Sequence, residues 1–209
     1  MLGAKKGRLL LIGGEHRGFS MIELMIGLAI VGVLIAIGFP VFMEYMQNNR
    51  VLAAAEGFNN MMQRARAESV SRNAPVQFIL TNATTADTSS ATASIAVDGG
   101  KNWLIRTPDL VNAGQFTVVD SKFFNEGAST VDVSNSDAVA VVAFNGLGSA
   151  AFAPPLSGAT IFQFKSSLRA CAATSGASGV RCLSVRVAPG GQSRLCDPLI
   201  TATSDTRSC

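Results

Sequence analysis

The side chains that most often carry out catalysis are scarce in this sequence of 209 residues. His16 is the only histidine, so the rest of the chain can build neither a serine–histidine pair, a cysteine–histidine pair nor a histidine metal site. We also find no paired-carboxylate motif and no cluster with the spacing of metal ligands. The sequence therefore predicts no catalytic residues, no metal and no cofactor, and a protein that is not an enzyme.

Four cysteines are the other reactive side chains, and all lie in the last 39 residues: Cys171, Cys182, Cys196 and Cys209. In an exported domain, disulfides are their expected state, and three pairings can be drawn. We favour the sequential pairing, Cys171 with Cys182 and Cys196 with Cys209, because the intervening loops are short and rich in small residues. Sequence alone does not decide the connectivity. Zinc is the alternative, but there is no Cys-x-x-Cys and no nearby histidine.

Export requires a segment that crosses the membrane, and residues 24–43 could supply it. They form an uncharged run of 20 residues, about 30 Å long as an α-helix, which matches the hydrocarbon core of a bilayer. An ordinary secretory signal has a shorter apolar core and a small-x-small cleavage site, which this segment lacks. The basic residues before the run would hold that end in the cytoplasm: Lys5, Lys6, Arg8 and Arg17.

The net charge gives little indication of a partner. The formal charge of +3 arises in residues 1–18, since 13 basic residues meet 13 acidic ones from residue 19 onward. The remainder of the chain has no overall attraction to nucleic acid or anionic lipid, so such binding would need a local patch.

The six residues before the apolar run, Gly18-Phe19-Ser20-Met21-Ile22-Glu23, follow a short basic leader and resemble the type IV prepilin signal. The resemblance implies that a prepilin peptidase cuts after Gly18 and methylates Phe19, so that the anchor is kept. A carboxylate at the margin of a membrane helix is costly unless it is paired. The resemblance implies that Glu23 pairs with the N-terminal amine of a neighbouring subunit during assembly. The alternatives are a plain signal anchor and a Glu23 that reaches the lipid headgroups.

The helical pattern continues beyond the apolar run. Pro40 lies where the pilin helix usually carries a proline, and it predicts a kink or a local melting point. Asn73-Ala74-Pro75 is a helix stop, so we predict one helix over about residues 20–73. Apolar residues at spacings of three and four form one face of its second half: Val51, Ala55, Phe58, Met62 and Ala65.

From Pro75 the sequence changes to short β-like runs separated by Gly, Asn, Asp and Ser. The predicted fold class is α+β and type IV pilin-like: a long N-terminal α-helix packed on a mostly antiparallel β-sheet domain. We predict strands at residues 76–80, 103–106, 116–119, 138–144, 161–164 and 183–187, and a long loop at residues 81–94. The expected domains are a cleaved leader (1–18), a transmembrane and assembly helix (19–43), its amphipathic continuation (44–74), and a periplasmic β-rich domain ending in the disulfide region (75–209).

Two further motifs resemble the GspH/FimT/FimU branch of pilin-like proteins. Phe144-Asn145-Gly146-Leu147-Gly148 resembles a turn that links two strands in that branch. Residues 184–198 resemble its C-terminus, with a strand, a Pro-Gly-Gly turn, a strand and a cysteine-closed tail. The resemblance implies a minor pilin of a type IV pilus, anchored in the inner membrane, that acts with other minor pilins and the major pilin in the initiation or tip complex. A GspH-like minor pseudopilin of a type II secretion system is the second interpretation.

DNA capture during natural transformation is the third interpretation. Some FimT-like pilins bind DNA through a Gly-Arg-x-Arg motif, and the matching stretch here, Gly191-Gln192-Ser193-Arg194, has glutamine in place of the first arginine. Arg186 and Arg194 are the candidate contacts, to which Arg181 and Arg207 would add if all four cluster. The alternative is a set of solvated surface charges. Affinity for phosphates scales with the number of cationic contacts, so the replacement weakens the DNA interpretation.

Overall fold

The computed structural model describes residues 18–83, 97, 99–123, 130–174, 179–202 and 204–209. The predicted leader up to residue 17, and the part of the predicted loop from residue 84 to 94, lie outside these residues. The chain divides into two compact units, residues 1–41 and 42–209. The described elements are α1 (Met21–Arg72), β1 (Val76–Thr81), β2 (Asn102–Pro108), β3 (Phe116–Lys122), β4 (Val131–Asn135), β5 (Val141–Phe144), β6 (Ala150–Ala153), β7 (Thr160–Ser166), β8 (Leu183–Val187) and β9 (Ser193–Cys196).

The predicted long N-terminal helix is confirmed. α1 has 52 residues, with Pro40 inside it. Beyond residue 42 it buries the predicted apolar face completely: Val51, Ala55, Phe58, Met62 and Ala65. The helix ends at Arg72, and the next residue, Asn73, adopts a φ of 47° and donates its N–H to the carbonyl of Val70. Asparagine tolerates this left-handed conformation, and Pro75 prevents further helix.

Two antiparallel sheets pack against this part of α1. Their strand orders are β3-β2-β1-β5-β6 and β4-β7-β8-β9. The ring of Phe58 on the helix lies between 4.8 and 5.2 Å, centroid to centroid, from rings of both sheets: Phe78, Trp103, Phe162 and Phe164. One aromatic side chain thus joins helix and sheets in a single core, and the predicted α+β class is confirmed.

The structure corrects three details of the predicted strands. β4 and β6 were not predicted. The strand predicted from residue 138 begins at Val141, because Ala138 has a φ of 53° within a turn in which the Asn135 side-chain oxygen accepts the N–H groups of Asp137 and Val139. The loop predicted at residues 81–94 was begun one residue too early, since Thr81 is the last residue of β1.

Two turns and the helix meet at one point, which we call the turn cluster: Arg66, residues 145–149 and residues 188–192. The Nε of Arg66 donates to the carbonyl of Gly148 (3.0 Å), and the N–H of Ala150 donates to the carbonyl of Pro189 (2.8 Å). Gly191 has a φ of 79°, and a Cβ there would overlap the carbonyl oxygen of Gly148. The turn cluster therefore joins α1, the β5–β6 hairpin and the β8–β9 hairpin, and it requires glycine at position 191.

Candidate functional site

The first part of α1 presents an unburied apolar surface. The helix is long and apolar enough to cross a membrane, and none of its most apolar window is buried. A helix in the core of a soluble domain would be mostly buried. The exposed surface is therefore suited to lipid or to neighbouring helices.

The predicted processing residues lie at the beginning of this helix. Gly18 and Phe19 are exposed and precede α1, whose first turn contains the exposed Glu23. A carboxylate there is favoured by the free N–H groups and the helix dipole. A Cβ added at Gly18 would meet no atom within 4 Å. No packing within the described residues requires glycine at this position, so a requirement for it would come from outside the chain. Pro40 lies further along the same helix.

The four cysteines form two disulfides in the structure, and the pairing is sequential. Cys171 and Cys182 have Cα atoms 5.4 Å apart, and those of Cys196 and Cys209 are 5.1 Å apart. An isolated parallel bridge joins Asp197 to Ser208 beside the second disulfide. The first disulfide closes a loop between β7 and β8, and the second fastens the C-terminal tail to the end of β9.

Removing the first disulfide is expected to destabilise the domain measurably. Substituting Cys171→Ser together with Cys182→Ser opens a loop whose ends are 11 positions apart in sequence. For a loop of this size, the chain-entropy model predicts that the free energy of unfolding falls by about 3 kcal/mol. The free energy of unfolding of the purified full chain, measured by urea titration in detergent, is the test. An unchanged midpoint would show that this bridge does not constrain the unfolded chain.

The structure brings the two predicted DNA contacts together. Arg186 on β8 and Arg194 on β9 are Cα partners in the antiparallel ladder. Like charges in this arrangement repel each other, which favours a bound anion between them. However, Arg194 donates from both terminal nitrogens to carbonyls of the C-terminal tail, those of Thr206 and Ser208, each at 3.1 Å. Its guanidinium therefore also holds the tail in place.

Arg181 and Arg207 line a cavity of about 440 Å³ that Glu44 also lines. Both Nε and a terminal nitrogen of Arg181 donate to one carboxylate oxygen of the buried Asp197, at 2.9 and 2.7 Å. Arg207 pairs with Asp205 at 2.8 Å. Arg181 and Arg207 thus each pair with an acidic side chain, and Arg207 lies between the two tail residues whose carbonyls accept hydrogen bonds from Arg194.

Asp205 is expected to titrate far below an ordinary carboxyl. The side-chain hydrogen bond from Arg207, then the Arg207 N–H, lower the pKa of Asp205 from 3.8 to about 2. A lowered pKa contributes stability that is complete above 3.8 and is lost as the pH falls toward 2. Carboxyl NMR should give a midpoint near 2 for Asp205, moving upward in an Arg207→Gln variant. A midpoint unchanged by that substitution would contradict the assignment.

The geometry offers no metal centre in the parts of the chain that are described. No group of three or more His, Cys, Asp or Glu side chains there is placed to hold an ion. The four cysteines that zinc would need are all in disulfides.

Two protein-family models match this chain. The model of the prokaryotic N-terminal methylation motif matches residues 15–39, which contain Gly18, Phe19 and Glu23. The model of the type II transport protein GspH matches residues 54–191, more than half of the chain. The chain belongs to the GspH family. It is a minor pilin or pseudopilin of the type IV pilus and type II secretion class, as the sequence predicts.

Two solved structures are also similar to this GspH-family chain. Both are of the type IV minor pilin FimU of Pseudomonas aeruginosa PAO1, in space groups P21 and P65. Each is 19% identical to this chain, with TM-scores of 0.46 and 0.44. The matches cover 72% and 69% of this chain, and 91% and 90% of the two FimU chains. No curated protein matches the chain significantly.

Sequence reasoning missed the polar contacts that hold the C-terminal loops to the helix of this GspH-family chain. The side chains of Glu44 and Asn48 accept the N–H groups of Gly179 and Arg181. Gln47 accepts hydrogen bonds from Thr130 and Ser166. The signal in the sequence that could have indicated such a network is the group of three hydrogen-bond acceptors, Glu44, Gln47 and Asn48, within five residues of the end of the apolar run.

Proposed function

We propose that this chain is a minor pilin of a type IV pilus, processed between Gly18 and Phe19 and assembled with other pilins in the initiation or tip complex. The observation that carries the proposal is the methylation motif at the head of a helix whose apolar surface has no partner among the described residues. A cleaved leader would leave the amine of Phe19 within one helical turn of Glu23. The globular domain would then lie in the periplasm before assembly.

Glu23 has a proposed role in assembly. Its carboxylate lies in the first turn of an exposed apolar helix, where an amine from a neighbouring subunit would neutralise it. Pairing removes the cost of bringing that carboxylate among packed apolar helices. The pairing would also fix the register between subunits, since a shift along the helix would separate the charges.

The test compares Glu23→Gln with Glu56→Gln in a host strain that lacks the chromosomal copy. Glu56 is an exposed residue of the same helix, outside the apolar run, and makes a matched control. We expect surface fibres to be restored by the wild type and by Glu56→Gln, and to be lost with Glu23→Gln although the subunit is processed. Fibres at the wild-type level with Glu23→Gln would contradict the role assigned to this carboxylate.

The same strains distinguish a function in a type IV pilus from a function in a type II secretion system. The cysteine-closed C-terminal tail favours the pilus by resemblance, and the GspH family includes both classes. Loss of fibres with normal export of secreted enzymes is the expected result. Normal fibres with a defect in secretion would make the chain a minor pseudopilin of a type II secretion system instead.

DNA capture is supported only by the pairing of Arg186 with Arg194 across the ladder. Two guanidiniums neutralise few phosphates, and one of these already donates to the C-terminal tail. The pilus assignment therefore ranks ahead of it. Binding of duplex DNA that is weakened both by Arg186→Gln and by added salt would make DNA capture the leading function.

A further inference from the structure

Two loops project from the folded unit at the end where α1 finishes. They are residues 109–115, between β2 and β3, and residues 145–149, between β5 and β6, and we call them the distal loops. Among the described residues from 42 onward, they carry the three most exposed large apolar side chains: Leu110 (93%), Val111 (88%) and Leu147 (85%). Single exposed apolar side chains are ordinary on a protein surface, whereas a group of them indicates a site of interaction.

The distal loops and the end of α1 form one continuous surface. A Cβ at Gly148 would lie 3.1 Å from Cγ2 of Val70, which is itself exposed on the last turns of the helix. The hydroxyl of Thr107, at the end of β2, donates to the carbonyl of Pro75 just after the helix, at 3.2 Å. Since β2 and β5 both border β1, about 10 Å separates the strands from which the two loops extend.

Each distal loop is held in shape by a side chain of its own. Oδ1 of Asp109 accepts the N–H of Val111 at 2.8 Å, and the N–H of Asp109 donates to the carbonyl of Gln115 at 2.9 Å. In the other loop, Oδ1 of Asn145 accepts the N–H of Leu147 at 3.0 Å. The apolar side chains therefore project from a backbone that is already ordered, so that binding would cost little further conformational entropy.

The charges around the distal loops do not favour a phospholipid or a nucleic acid. Asp109 is the only charged residue of the two loops. On the last turns of α1, Arg66 donates to the carbonyl of Gly148, and Arg72 pairs with Glu68 at 2.9 Å. Binding to phosphate groups depends on available cations, which the distal loops do not supply. Projecting leucine and valine side chains fit instead an apolar groove on another protein.

A second copy of this chain does not match the distal loops. Two copies that met loop to loop would oppose projecting side chains to projecting side chains. α1 rises about 45 Å from residue 42 to Arg72, and the end of the unit near residue 42 has a cavity lined by charged side chains that include Glu44 and Asp197. Copies stacked end to end would press leucine against charged groups, which would lose water without gaining a partner. The complementary surface therefore belongs to a different protein.

We propose that the distal loops bind an apolar groove on a different pilin subunit of the same fibre, with Leu110, Val111 and Leu147 as the side chains that enter the groove. Val70 would lie at the margin of this contact. The inference rests on the proposed assembly into a fibre, and it names the surface that selects one kind of neighbour. Because charge contributes little to such a contact, it should persist at high salt concentration.

The test places a photo-crosslinking amino acid at position 110 or 147 of the full chain in cells that make fibres, which are irradiated before shearing. Position 168 is the control, because Leu168 is also exposed but lies outside the distal loops. We expect positions 110 and 147, but not 168, to give a covalent product of the chain with one other pilin subunit. A product of two copies of the chain, an adduct with phospholipid, or an equal yield from position 168 would overturn the inference.

Matched variants test the side chains themselves, with the crosslinker kept at position 147. Leu110→Ser together with Val111→Ser should lower the yield of the product in irradiated cells about tenfold or more, since each apolar side chain buried in a contact changes affinity by about that factor. Leu168→Ser should leave the yield unchanged. Both side chains at 110 and 111 are almost fully exposed, so the urea unfolding midpoint should not move. An undiminished yield in the double variant would overturn the inference.

The outcome for the fibres separates this inference from the function on which it rests. Absence of the wild-type chain from sheared fibres would contradict the proposed function. Its presence in the fibres without any product from positions 110 and 147 would overturn only the role given to the distal loops.

Discussion

Replacing Gly18 with leucine is expected to leave the chain at full length in the inner membrane and absent from surface fibres. The substitution adds a side chain where no atom of the described residues lies within 4 Å of a Cβ at position 18. Folding and membrane insertion should therefore be unchanged. A peptidase site that accepts only a small residue before the cut bond would exclude leucine, so processing should fall from nearly complete to undetectable.

The measurement is the mass of the chain recovered from membranes. Gly158→Leu is the matched control, because Gly158 also has open space around it and no positive φ. That variant should lose the leader as the wild type does. Normal cleavage of the Gly18→Leu chain would contradict the interpretation of the motif as a prepilin signal.

Gly191→Ala is expected to cost the domain about 4 kcal/mol, a large part of the stability of an ordinary domain. The backbone at Gly191 has a φ of 79°, which costs a residue with a Cβ about 1–3 kcal/mol. The new methyl group would also overlap the carbonyl oxygen of Gly148, so the two turns must separate. Separation breaks the hydrogen bonds from Arg66 to Gly148 and from Ala150 to Pro189, each worth about 1 kcal/mol.

Gly190→Ala is the control for this prediction. A Cβ at Gly190 would meet only the side chain of Gln192, at 3.8 Å, and the residue has no positive φ. Its free energy of unfolding by urea should stay within about 0.5 kcal/mol of the wild type. Equal stability of the two variants would show that the turn cluster does not depend on the close approach of Gly191 to Gly148.

The helix was predictable from sequence because its signals are long and repeated. An uncharged run of 20 residues and the apolar face from Val51 to Ala65 each contain several turns of consistent pattern. Asn73-Ala74-Pro75 gave its end within one or two residues. Local stops of this kind depend on backbone sterics alone, so no knowledge of the sheets was needed.

The missed strands depend on distant partners. Ala150-Ala151-Phe152-Ala153 has weak β propensity and is extended because each residue is paired with one on β5. β4 alternates buried and half-buried residues over only five positions, too few to separate it from a loop. The contact between Glu44 and Gly179 joins residues 135 positions apart, and no local pattern indicates it.

The motif at the N-terminus was the most informative part of the candidate site. The roles predicted for Gly18, Phe19 and Glu23 rest only on the order of these residues and on the apolar run that follows them. The arginines could not be assigned in that way, because their partners are set by the fold. Arg181 meets a buried carboxylate, whereas Arg194 binds carbonyls of a tail that the second disulfide fastens.

The most direct test of the account is the intact mass and N-terminal residue of the protein from sheared surface fibres and from membranes of the same cells. We predict a chain in the fibre fraction that begins at N-methylated Phe19. A full-length chain confined to the membrane fraction would contradict the assignment to a minor pilin and leave a plain signal anchor.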